Sequence, residues 1–217
     1  MTTEANMYRR AGPSVSDWSR PRAFDERMTG AGQIQPIATV ETRVAFEDAL
    51  VRVETNRVRN AATQAEETAL RIVPASESQH MVAIVPVLDD GRFLLVGRYR
   101  YALARWSLEF PRFWTQSSDA GWEHAATVNL FKSTGLVADQ MRLLGAIEVD
   151  PSLTSISMLV IQAIDCGDLP AKPADPSALI AGCVALAADE IDALMRSGEV
   201  CCGATLSALC LYRAQPP

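Results

Sequence analysis

Apolar positions along the chain follow two different periods. From about Thr39 to Val73 they recur at every second residue. Val44, Phe46, Leu50, Val51 and Val53 form one run, and Leu70, Ile72 and Val73 close another across a polar stretch at Asn60–Glu67. That alternation predicts a meander of strands. Met81–Leu88 is nearly all apolar, Phe93–Val96 is apolar again, and Asp89-Asp90-Gly91 lies between them. An Asp-Gly step between two such runs predicts a hairpin, with Pro86 at a bulge or an edge because proline brings no N–H to a ladder.

The period then lengthens. Trp122, Ala125, Ala126, Leu130 and Phe131 recur at helical spacing, which predicts a helix over Ser118–Thr134 with Asp119 as N-cap and Gly135 as its stop. A strand pair follows at Met141–Val149 and Ser157–Ile164. Beyond a proline-rich connector (Pro170, Pro173, Pro176) come a strand at Leu179–Leu186, a helix at Asp189–Arg196 ended by Ser197-Gly198, and a last helix at Thr205–Arg213. Strands and helices in this order predict a layered α/β domain. Glycine and proline breaks before residue 35 leave no periodic face, although Trp18 and Phe24 offer anchors. The expected organisation is a partly ordered tail at 1–38, a strand segment at 39–78 and a main domain at 79–217.

Composition narrows the function. The chain has 217 residues, 48% of them hydrophobic, which is enough for a sizeable core, and a net charge of -6 argues against a nucleic-acid binder. Aromatic residues are only 6%, too few for a single-strand stacking platform. No apolar run reaches the ~18 residues of a spanning helix, and Met1–Gly30 lacks the apolar stretch of a secretory signal. The expected setting is cytoplasmic, away from membranes. Cys166, Cys183, Cys201, Cys202 and Cys210 show no C-x-x-C spacing, and with His80 and His124 they form no zinc pattern. They read as small apolar filler in a reducing compartment, with a redox role for the adjacent Cys201–Cys202 as the alternative.

Five stretches in register carry a resemblance: VAIVPVLDDGRFLLVGRYRY at 82–101, WSLEFPR at 106–112, the segment 125–136 ending STGL, LLGAIEVDPSLTS at 143–155 and RSGEVCCGATLSALCLYRA at 196–214. Together they resemble the Nudix superfamily, in its ADP-ribose pyrophosphatase-like branch. The resemblance implies an α/β/α sandwich with a mixed sheet, preceded by an N-terminal strand segment. It also implies a homodimer, because residues 40–75 match strands that this branch exchanges between subunits.

The family's signature is G-x5-E-x7-R-E-U-x-E-E-x-G-U, with U aliphatic. Its glutamates converge on one helix face and hold Mg²⁺, which offsets pyrophosphate charge and activates water. Anchored on Gly135 and Leu136, the register puts Trp114 at the first glycine, Ala120 at the first glutamate, Val128 at the arginine and Asn129 at the next glutamate. Lys132 and Ser133 stand at the final pair. Mg²⁺ is therefore not expected at the usual site, no metal site or other cofactor is expected, and the ammonium of Lys132 would repel a divalent cation.

What remains suggests a ligand site. Arg100 matches the arginine of a Q-Y-R-Y segment that implies phosphate binding, and Arg98 replaces the glutamine. Arg112, Trp114, Asn129, Lys132 and Ser133 are further ligand-binding candidates, with an exposed polar helix face as the plainer reading of the last three. Glu109 matches the family's E-[LF]-P acid. With Glu148, Asp150 and Lys132 it is a catalytic candidate if the chain is an enzyme. Three functions stay open: a non-hydrolytic binder of a nucleotide-diphosphate-like or other small polar ligand, a metal-independent enzyme using a relined pocket, and residual hydrolysis with a displaced metal held by Glu109 and Glu123.

Overall fold

The structure is a computed structural model that describes residues 36–76, 79–116, 121–167, 175 and 179–216. The Asp119 cap and the prolines of the connector lie outside the described residues. Three strands open the fold: β1 (Ile37–Glu47), β2 (Val51–Asn60) and β3 (Glu66–Pro74), an antiparallel meander in the order β1-β2-β3. Two turns set its register. The Asp48 carboxylate accepts from the Leu50 and Val51 N–H groups, and the Asn60 side chain accepts from Ala62 and Thr63. These are the local bonds for which Asp and Asn are favoured at turns.

The strands β4 (Gln79–Pro86) and β5 (Phe93–Arg100) follow. The Asp-Gly turn forms, with Gly91 in the left-handed region at φ +81° and its N–H donating to the Leu88 carbonyl. The hairpin it predicts does not extend beyond one bridge, Val87 to Phe93. β4 instead joins a mixed four-stranded sheet in the order β7-β4-β9-β8, while β5 is central in a second sheet ordered β10-β5-β6. Here β6 is Arg105–Glu109, β7 Arg112–Gln116, β8 Gln140–Glu148, β9 Ser157–Ile164 and β10 Ile180–Leu186. Both runs are buried on two faces, so β4 recruits β7 and β9 rather than β5, and β5 recruits β6 and β10. Pro86 ends β4: the Val87 N–H donates to Ala163 of β9, so Pro86 faces the other side, where pairing with β7 has already stopped at Ala83.

Alternation along the central strands separates two cores. Val82, Ile84, Leu94, Leu159 and Ile161 pack under α1 (Gly121–Thr134), which contributes Ala126 and Leu130. Ala83, Val85, Leu95, Met158 and Val160 face the other way. There they meet Ile191 of α2 (Ala188–Ser197) and Ala208 and Leu209 of α3 (Gly203–Arg213). Helices therefore cover both sides of the strands, the α/β/α arrangement. Phe131, one of the apolar positions at helical spacing, is 48% exposed and belongs to neither core. Among the described residues no helix is long and apolar enough to cross a membrane.

One carboxylate governs the first sheet. Glu54 of β2 is buried and takes hydrogen bonds from Arg71 (2.7 Å) and Arg52 (3.0 Å). The Arg71 bond, against the opposing cost of burial, holds its carboxyl below the usual glutamate range. A lowered folded value gives stability that is present at pH above the ordinary glutamate range and lost as pH falls below it. Glu54→Gln is expected to cost about 1 kcal/mol at neutral pH, with the gap to wild type closing in acid below the ordinary glutamate range. Urea unfolding at both pH values checks this; a gap independent of pH would show that the charge contributes nothing.

Candidate functional site

The stretch Trp106–Arg112 carries no clear period in sequence because its backbone changes sheets within it. β6 ends at Glu109 beside β5, and β7 starts at Arg112 beside β4. Phe110 and Pro111 turn the corner, both buried. The Pro111 carbonyl accepts the Ile84 N–H, and the Phe110 N–H donates to the buried Thr205 hydroxyl of α3 at 3.0 Å. Phe93 clamps the same region, 6.3 Å from Phe110 and edge-on to Tyr212 of α3 at 5.2 Å. The first turn of α3 is thereby fixed against the corner.

Beside this corner opens a cleft of about 470 Å³. Its charged wall is Arg100, Arg105, Glu109, Arg112 and Glu148, its apolar wall is Leu103, Ile147, Val149 and Met158, and Cys201, Cys202 and Ser207 close the end at α3. Glu109 is almost wholly buried. It is ion-paired with Arg100, and Arg112 stands 3.8 Å from its other oxygen. The Arg100 Nε is buried with no hydrogen-bond partner among the described residues. Arg98 backs this cluster, its Nη1 donating to the Arg112 carbonyl at 2.8 Å. Burial first, then the neighbouring charge of Arg100, pulls the Arg98 guanidinium below its ordinary pKa.

Of the residues proposed from sequence, Arg100, Arg112, Glu109 and Glu148 line the cleft, with Arg98 behind it. The others do not. Asp150 is exposed and accepts from the Ser152 N–H and hydroxyl, which shapes its own turn. Trp114 lies on β7 opposite Met81. On α1, Asn129 donates to the Ala125 carbonyl one turn back, Ser133 is buried with its carbonyl facing the Cys183 thiol, and Lys132 is exposed. Phe113 packs under α1 rather than into the cleft. Arg105, Cys201 and Cys202 are not among the sequence candidates for this site. The reading of the cysteines as filler suits the buried Cys166; Cys201 and Cys210 are exposed. A signal does exist in RSGEVCCGATL, where an adjacent pair precedes a helix without an acidic first turn.

Comparison with known proteins supports the architecture. The chain is similar to a solved structure described as an ADP compounds hydrolase, with a TM-score of 0.69 at 20% identity over 83% of this chain and 94% of that one. The fold is Nudix-like. No family model matches the chain, and no curated protein matches it. At this identity the likeness speaks for the fold, and the site must be read from its own residues.

The fold raises the question of a divalent cation, and among the described residues no three His, Cys, Asp or Glu side chains are placed to hold one. Glu109, the acid best buried in the cleft, is enclosed by guanidiniums, whereas Mg²⁺ takes several oxygen ligands. The cluster suits an anion instead. Glu109→Gln keeps the shape and removes the charge that balances Arg100 and Arg112. It is expected to lower stability by about 2 kcal/mol, less than a fully buried pair because the arginines keep 24% and 23% exposure. Added pyrophosphate should raise the variant's melting temperature more than wild type's in a thermal scan. Equal shifts would show that these cations do not take up an anion.

Proposed function

We propose that this Nudix-like chain binds a small anionic ligand of the nucleotide-diphosphate type without hydrolysing it in the usual Mg²⁺-dependent way. The observation that carries this reading is the cleft wall. Arg100, Arg105 and Arg112 gather at one pocket, beside the carboxylates of Glu109 and Glu148. Guanidinium groups match phosphate oxygens two at a time. On α1, the positions where the resemblance expects glutamates hold Asn129, Lys132 and Ser133. In this reading the box is degenerate, and hydrolysis has lost both its metal ligands and the local negative charge that would attract a cation. The similar solved structure is that of an ADP compounds hydrolase, which supports the choice of ligand class.

The chain is expected to bind ADP-ribose in isothermal titration, with Arg100→Ala weakening binding at least about tenfold, or 1.4 kcal/mol. No protein-dependent AMP is expected by chromatography in excess Mg²⁺ or Mn²⁺. AMP release from folded protein would overturn the non-hydrolytic reading, and absence of binding would overturn the ligand class.

We further propose that the active form is a homodimer joined through the N-terminal strands. Phe46 and Leu70 are 54% and 48% exposed on the face of that sheet that also carries Val53, apolar surface of the kind that marks an interaction site. Light scattering behind gel filtration should give twice the mass of the 23.6 kDa chain. The double substitution Phe46→Glu and Leu70→Glu should give a monomer with an unchanged circular-dichroism spectrum. A monomeric wild type would remove this proposal.

A further inference from the structure

The adjacent cysteines of the sequence lie in the same cleft as the arginines, brought there from nearly a hundred residues away. Cys201 is exposed at the cleft's end, and Arg105 of β6 donates from Nη2 to its sulfur at 3.3 Å. Cys202, next to it, stands at the N-cap position of α3. The position of both is fixed by the Thr205 bond to the Phe110 N–H, so the thiols are held against the corner that carries Glu109 and Arg112. The other sulfurs contrast with this. Burial pushes the Cys166 thiol up to about 12 and the Cys183 thiol up to about 11, which keeps both protonated near neutral pH. Cys210 is exposed but lies outside the cleft lining.

We infer that Cys201 is a reactive thiol of the cleft, poised to be alkylated by soft carbon electrophiles that carry a carboxylate or phosphate. The inference rests on the reading that the cleft receives anions. Two properties have to coincide for it, an accessible sulfur in positive surroundings and a second set of cations that orients the electrophile. Arg105 supplies the first, since thiolates react in electropositive, accessible places. Arg100 and Arg112 supply the second, holding the anionic end while the carbon meets the sulfur. In the reaction the thiol proton goes to water and the sulfur lone pair forms a C–S bond. The bond from that carbon to its leaving group breaks, and the leaving group departs with the electron pair. Nothing is oxidised or reduced at the protein.

Iodoacetate and iodoacetamide test this, because they present the same carbon and the same leaving iodide but differ in charge. On the full chain at low salt, rates at Cys201 and Cys210 are read by peptide mass spectrometry. Fragment ions, or a Cys202→Ser variant, separate Cys201 from its neighbour. The iodoacetate-to-iodoacetamide rate ratio is expected to be at least about threefold higher at Cys201 than at Cys210, and to fall toward the Cys210 value as salt rises. Arg105→Gln, at an exposed position, should lower the Cys201 ratio and leave Cys210 unchanged. Equal ratios at the two cysteines, or a Cys201 ratio indifferent to Arg105, would overturn the inference. Repeating the reaction with saturating ADP-ribose separates it from the ligand reading. Protection of Cys201 supports a shared site, whereas intact charge selectivity in a chain that binds no ADP-ribose would bring down the nucleotide class and leave the thiol standing.

Discussion

A carboxylate placed where two sheets meet must either give up its charge or be surrounded by cations, and Glu109 is surrounded. The chain has to cross from β6 to β7 at this point because one strand completes the sheet around β5 and the other completes the sheet around β4. Crossing buries Phe110 in the core under α2 and α3, buries Pro111 beside it, and takes Glu109 in with them. Desolvating a carboxylate alone costs several kcal/mol, so Arg100 at the end of β5 and Arg112 at the start of β7 are needed as much for folding as for any ligand. The cations of the cleft are thus fixed by strand geometry and not by loop placement. That gives the wall a precision which surface arginines seldom have.

α1 and the cleft lie toward opposite faces of the strands. α1 packs over the face of the strands that bears Val82 and Ile84, and its polar side chains turn back on the helix: Thr127, Asn129 and Thr134 each donate to a carbonyl four residues earlier. Such bonds use a side chain's capacity locally. The cleft lies toward the opposite face, with Met158 and α3. These three side chains have little left to offer a ligand, and the charged groups that line the cleft are carried by β5, β6, β7 and β8.

How much of this can be read from the sequence follows from the range over which each feature is decided. Gly135 stops α1 in the left-handed region, and Gly198 does the same for α2, because these are local steric matters. The strand pair at β8 and β9 is legible from alternation and pairs as read. The hairpin at Asp89–Gly91 misleads because a turn fixes the reversal of the chain but not which strands lie beside it; Met81–Pro86 finds its parallel partner in Met158–Ala163, more than seventy residues on. β6 and β7 escape notice because a five-residue strand with a buried glutamate and a sheet-crossing proline shows no period. Arg100, Arg112 and Glu109, chosen from the resemblance, line the cleft. Asn129 and Lys132 follow from the same logic but do not line the cleft, since a register on a helix says where a residue stands and not what faces it.

Arg105 and Cys201 show the limit of that logic most clearly, being separated by 96 positions with no shared motif. Their meeting is decided by the Thr205–Phe110 bond and the Phe93–Tyr212 contact, which are packing facts. Once they meet, the balance of the cleft changes. Glu109 already occupies one side of Arg100 and approaches Arg112, so an incoming anion does not encounter bare charge. Under the proposed function it competes with a carboxylate that cannot leave, and gains only what Arg112 and Arg105 have left to offer. On that reading a diphosphate, whose oxygens are spread over two phosphorus centres, spans the two guanidiniums better than a single carboxylate does, and Glu109 favours the larger anion by occupying Arg100.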